Sequence, residues 1–217
     1  MTSPRAALIV IEGIDGSGTT TQSQSLVRAL GALGRDARHT FEPTPGPVGA
    51  LIRAALEKRL VDPVSERPRV FRAETLALLF AADRLDHLDS FVLPALAEGA
   101  IVVSDRYDLS SFVYQSATSD SGAEALPWLR SLNRAARRPE LTIVLDVPFE
   151  VAKARRKSRG GAEELFDADA LQRRLAAAYA RAEELVPGDR LIHLSGVGEP
   201  DEVTARLVDA VAPLVSD

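Results

Sequence analysis

Cysteine is absent from the 217 residues, which removes disulfides, thiolate metal sites and cysteine nucleophiles and suits a reducing cytoplasm. Aromatic residues are scarce at 5%, with one tryptophan. Missing too is any long apolar run near the start: Ala6 to Ile11 stops at Glu12, too short for a signal peptide or a membrane span. The expectation is a cytoplasmic protein with no membrane partner. No stretch strings basic residues into an arm, and the net charge is -5, which disfavours a polynucleotide partner. There is no internal repeat and no low-complexity tract. What remains, 46% hydrophobic and 26% charged, fits one domain over residues 1–217 with a single buried core.

Short apolar runs recur at Leu8 to Ile11, Ala100 to Val103, Leu141 to Leu145 and Leu191 to Leu194, separated by stretches of helical periodicity. They read as buried parallel strands joined by crossover helices. Asp36 to Phe41 is a weaker fifth strand, following a helix from Thr19 to about Leu33 that ends at Gly34. The predicted architecture is α/β, a three-layer fold with a five-stranded parallel sheet flanked by helices. Ligands in such sheets sit at the carboxyl ends of the strands, here just after Ile11, Phe41, Ser104, Asp146 and Ser195. The Pro-rich "EPTPGPVG" at 42–49 reads as a loop after strand two.

One of those strand ends carries "IEGIDGSGTTTQ", residues 11–22, nearly the phosphate loop G-x-x-x-x-G-K-[ST]. In that pattern glycines turn backbone N–H groups toward phosphate, the lysine reaches the β/γ oxygens and the hydroxyl holds Mg²⁺. Thr19 stands where the lysine is expected. The strand before and the helix after supply the P-loop NTPase context, so Gly13, Ile14, Asp15, Gly16, Ser17, Gly18, Thr19 and Thr20 are the predicted ATP-binding residues, with Thr20 on the metal. A Gly-rich strand-to-helix turn without a ligand is the competing reading. A helix N-terminus binds phosphate without lysine, so the missing side chain weakens the case for catalysis more than the case for binding. Positive charge for the transferred group has to come from elsewhere.

Three other segments carry candidate chemistry. In "VVSDRYDLSSFVYQ", residues 102–115, Arg106 is placed to grip phosphate, and Asp105 to hold that arginine or a metal's water shell; a structural Asp-Arg pair is the alternative. In "ETLALLFAADRLDH", residues 74–87, Phe80, Arg84 and His87 share a helix face, where a ring and an arginine could stack a base and clamp a phosphate. Core packing is the alternative for Phe80, and His87 reads as a surface or packing residue. "ARRKSRGG", residues 154–161, sets Arg155, Arg156, Lys157 and Arg159 before two glycines that permit a hinge. Such a lid supplies the missing cation, with Arg155, Arg159, Lys157 and Arg156 as candidates in that order; a solvated basic helix end is the alternative.

Taken in order, "GIDGSGTTTQ", "FEPTPGPVG", "LLFAADR" and "SDRYDLSSFVYQ" resemble the thymidylate kinases, which make dTDP from dTMP and ATP. The resemblance covers nearly the whole chain, and its "DRYxxSSxxYQ" and "LFAADR" patterns set the family apart from adenylate, guanylate and cytidylate kinases. It implies that Phe80 stacks on thymine and that Arg84 and Arg106 contact the dTMP side. Ser111 with Gln115 or Tyr114 approaches base and sugar, Asp15 works near acceptor phosphate or metal, and Glu42 with Pro43 matches the family's "EP" pair. The implied catalytic set is Asp15, Arg106, Arg155 and Arg159, with Thr20, Asp15 and Asp105 toward Mg²⁺ and Asp105 also on the substrate side. A basic lid at about 154–166 and a homodimer through helices flanking the acceptor site are implied as well. Three departures stand out: Thr19 for lysine, Phe41 where an arginine usually precedes "EP", and no "DR" pair after the basic stretch. An active dTMP kinase, a catalytically silent nucleotide binder and a kinase for another small acceptor remain open, in that order.

Overall fold

The computed structural model describes residues 6–160 and 165–215. Five parallel strands form one sheet: β1 (Ala7–Glu12), β2 (Ala37–Phe41), β3 (Ile101–Asp105), β4 (Leu141–Asp146) and β5 (Leu191–Ser195), in the order β2-β3-β1-β4-β5. The central strands β1 and β3 are buried end to end and aliphatic up to their polar carboxyl ends because both faces are covered, the usual reason parallel strands read as aliphatic runs. Alternation along β1 divides its side chains between two layers. Ala7, Ile9 and Ile11 meet Leu26 and Leu30 of α1 (Thr19–Ala32) and Leu207 and Val211 of a C-terminal helix, Pro200–Val215. Leu8 and Val10 face the other way, against Leu88, Val92 and Tyr107.

The second layer begins with α2 (Pro47–Leu56) and α3 (Ala73–His87); α3 runs through a π turn at Leu88–Val92 into α4 (Leu93–Ala97). It continues with α5 (Asp108–Thr118) and α6 (Leu126–Leu132). Beyond β4 follow α7 (Phe149–Arg159), α8 (Asp169–Tyr179) and α9 (Ala182–Leu185), and the C-terminal helix is α10. No helix among the described residues is long and apolar enough to cross a membrane.

The five expected strands are all present, each within two residues of its predicted ends. "EPTPGPVG" is only half loop: α2 starts at Pro47, because proline at the first helical position has no N–H to leave unpaired and its φ already suits a helix. The first part of the predicted lid, residues 154–159, is the end of α7, and residues 161–164 lie outside the described residues.

Candidate active site

The loop between β1 and α1 lies at the carboxyl edge of the central strand, where the strand order reverses direction. Gly18, at φ +99°, caps α1 with no side-chain hydrogen bond, which leaves the first N–H groups of the helix open to an anion. Gly16, at φ +86°, serves a second need: a Cβ there would sit 2.3 Å from the Ala152 carbonyl oxygen, so only glycine lets α7 lie against the loop.

Three arginines hold the outward carbonyls of this loop at alternate positions. Arg106 Nη1 donates to Gly13 O at 2.8 Å, Arg156 Nη1 to Asp15 O at 2.7 Å and Arg155 Nη1 to Ser17 O at 3.2 Å. Two residues of the basic stretch, Arg155 and Arg156, therefore lie against the loop. Arg155 also donates to Gly196 O, and among the described residues it meets carbonyls but no carboxylate. Arg156 has Asp169 at 3.9 Å, and Lys157 is exposed on the rim of the cavity described next. The Arg159 side chain lies outside what is described. Thr19 is buried at the start of α1 and contributes no charge.

Beside the loop opens a cavity of about 920 Å³. Its walls bring together Asp15, Phe80, Arg84, Arg106, Tyr114 and Gln115, with Glu42 and Ser111 beside them. Arg106 has left-handed backbone at φ +72°, rare for a side chain of its size and of a kind that collects at functional sites. Its Nη2 meets Asp15 Oδ1 at 2.5 Å, and its guanidinium lies 5.3 Å from the Tyr114 ring centroid. Burial works against its charge, yet Tyr114, Asp15, Tyr179 and Asp105 around it hold its pKa well above the ordinary value. The carboxylate Arg106 meets is thus Asp15, whereas Asp105 takes a different partner.

That partner is Thr20, whose Oγ1 donates to Asp105 Oδ2 at 2.5 Å; Asp105 Oδ1 is buried with no hydrogen-bond partner. A hydroxyl and an open carboxylate oxygen at a phosphate loop are hard donors of the kind Mg²⁺ takes, so these two residues fit the ion. Asp15 fits it less well, since Arg106 and Gln172 occupy its two oxygens.

Arg84 departs from the phosphate-clamp reading. It is buried, its Nη2 donates to Glu42 Oε2 at 2.7 Å and to Ser111 Oγ at 3.1 Å, and its Nη1 donates to Asn133. Glu42 in turn meets His87 Nδ1 at 3.1 Å, and His87 Nε2 meets Thr40 Oγ1 at 2.6 Å, so His87 is a buried network residue and not a surface one. A buried guanidinium needs a carboxylate, and Glu42, itself on the cavity wall, fills that role. Four polar atoms of residues lining this cavity are buried without a hydrogen-bond partner: Arg84 Nε, a donor, Gln115 Oε1, an acceptor, and the hydroxyls of Tyr107 and Tyr114.

A family model described as thymidylate kinase matches residues 11–195. The chain belongs to the thymidylate kinase family. It is 39% identical over 206 residues to a protein named "Probable thymidylate kinase" in Pyrococcus abyssi, covering 94% of this chain and 96% of that one. It is 38% identical over 210 residues to a thymidylate kinase of Dinoroseobacter shibae, covering 96% and 97%. Within this thymidylate kinase scaffold, Phe41, where an arginine was expected, lies 5.7 Å from the guanidinium of Arg53, which also donates to the Pro43 and Thr44 carbonyls. A cation from α2 thus stands beside the position where one is missing.

Sequence reasoning passed over Glu12. Alternation along β1 turns it to the same side as Leu8 and Val10, beneath α5. There it accepts from Tyr107 N at 2.9 Å, Ser110 Oγ at 2.6 Å and Tyr179 Oη at 2.9 Å. Burial pushes its carboxyl from 4.5 to about 7, against the opposing pull of Arg106 and these hydrogen bonds. Unfolded, the carboxyl loses its proton near 4.5; folded, it keeps it to about 7. Between those values the folded state holds the extra proton, so the contribution of Glu12 to stability falls as pH rises, by about 3 kcal/mol at most. Glu12→Gln should flatten this slope, and urea midpoints at about pH 5 and about pH 8 check it. Parallel pH dependences in the two proteins would refute the assignment.

Proposed function

We propose that the protein transfers the γ-phosphoryl group of ATP in line to dTMP, forming dTDP without a covalent enzyme intermediate. The observation that carries this reading is a cavity that joins the loop end, Arg106 and Asp15 to an aromatic wall whose residues include a donor and an acceptor without hydrogen-bond partners. Loop N–H groups at the start of α1 hold the donor phosphates. Arg106, fixed by Asp15, holds the acceptor phosphate, where a charge-assisted contact orients the attacking oxygen. Arg155, which has no carboxylate partner among the described residues, supplies the charge that lysine supplies elsewhere. Thr20 and Asp105 hold Mg²⁺, which when bound neutralises phosphate charge.

Phe80 stacks the base. Arg84 Nε donates and Gln115 Oε1 accepts, which suits thymine, with its O4 acceptor and N3–H donor. Cytosine presents the reverse pattern and leaves both groups facing like partners. Tyr114 and Ser111 complete the sugar side. In this reading the enzyme works in the cytoplasm as a homodimer, and the exposed Leu78 and Leu85, seven residues apart on α3, support pairing through that helix.

A panel of monophosphates with ATP and Mg²⁺ tests the proposal, with turnover of dTMP far above that of dCMP, dGMP or AMP as the expected result. Phe80→Ala should raise KM for dTMP about 10-fold or more with kcat little changed, since base–aromatic stacking contributes roughly 1–3 kcal/mol. An unchanged KM removes Phe80 from the base site.

A further inference from the structure

Gln172 on α8 is fully buried, and nothing in its sequence surroundings marks it. Its Nε2 donates to Asp15 Oδ2 at 2.7 Å and to Phe166 O at 2.9 Å, while its Oε1 accepts from Arg156 Nη1 at 3.4 Å. Chemistry fixes that orientation: a carboxylate and a carbonyl demand a donor, and a guanidinium demands an acceptor. Asp15 is therefore held on both carboxylate oxygens and on its main-chain oxygen, by Arg106, Gln172 and Arg156 in turn.

We infer that Gln172 is a positioning residue for phosphoryl transfer, acting through Asp15 on Arg106. A carboxylate bonded on one oxygen turns readily, because the terminal torsion of aspartate is broad. With Gln172 on Oδ2 the carboxylate is locked, and Oδ1 stays aimed at Arg106, which lines the cavity. The amide also ties the loop to Phe166 and to Arg156, so one side chain sets the loop, the start of α8 and the end of α7 in register. This inference rests on the cavity being the acceptor site.

Gln172→Met keeps the volume and the unbranched shape while removing the donor and the acceptor. It should lower kcat for dTMP about 30-fold while leaving KM for ATP and dTMP within about threefold, the pattern of an interaction needed in the transition state. Gln172→Glu keeps an acceptor for Arg156 but sets a carboxylate against Asp15, and should cost about 100-fold or more. A residue that only packs lowers the melting temperature in both variants and leaves kcat, measured well below melting, within about twofold; that result overturns the inference. Should Gln172→Met fail to fold, Gln172→Asn, with its amide one methylene short of Asp15, carries the same comparison. If the wild-type protein phosphorylates no acceptor, the kinase reading fails by itself. The crystal structure of Gln172→Met then decides the positioning role: Asp15 turned away from Arg106 upholds it, and Asp15 unmoved overturns it.

Discussion

Arg106→Ala should reduce kcat/KM for dTMP by roughly 10²–10³-fold while ATP binding, measured by calorimetry, changes little. A charge-assisted hydrogen bond is worth about 1.5–3 kcal/mol, and removing one partner of a largely desolvated pair adds the cost of leaving the other charge unmet. Arg106 makes both kinds of contact, on the Gly13 carbonyl and on Asp15, beside the cavity proposed to receive the acceptor. Its left-handed backbone is a strain the fold tolerates at this one strand end, which fits a residue kept for its position. Lysine at 106 is a poor replacement, because its single nitrogen lacks the planar fork whose two ends, Nη1 and Nη2, meet Gly13 O and Asp15 separately. A purely structural arginine predicts the opposite split: a lower melting temperature with the KM for dTMP untouched.

Arg155→Ala should be as costly, on the order of 10³-fold in kcat, the scale of an arginine finger. Among the described residues around the loop, Arg106 has Asp15 and Arg156 has Asp169, whereas Arg155 meets carbonyls and no carboxylate, which leaves its charge available to a phosphoryl group. It also lies close to the missing lysine: its Nη1 is 3.9 Å from where a Cβ on Gly18 would stand, one residue before Thr19. Thr19→Lys alone should change kcat modestly, because a second cation at a neutralised phosphoryl adds little. Combined with Arg155→Ala it should recover part of the loss, since two residues serving one charge are not additive. The double-mutant cycle on kcat at saturating ATP reads this coupling directly. Additive effects mean that loop and metal work without a substitute for lysine.

The strands were legible because a parallel sheet covered on both faces needs strongly aliphatic runs, and β1, β3 and, apart from Thr142, β4 supply them up to their polar last residues. The phosphate loop was legible from glycine spacing between a strand and a helix. Less legible were contacts made across great sequence separation. Gln172 reaches Asp15 over 157 positions, and no local pattern announces it. Arg156, ranked last among the cations, is drawn onto the loop because Gly16 lets α7 approach, a fact of packing and not of charge. Arg84 read as open because helix periodicity shows which face it shares and not that Glu42 waits there. Glu12 had a usable signal in the alternation of β1, which assigns it to the α5 side.

All of this depends on a phosphate loop that works without its lysine. The rate of dTDP formation from ATP and dTMP by the unaltered protein, with Mg²⁺ present and Thr19 in place, tests that claim most directly. The account predicts turnover on the order of 1 s⁻¹ or faster, within the usual range of kinases. ATP bound at saturation with no dTDP formed would contradict it and leave a nucleotide binder on a kinase scaffold.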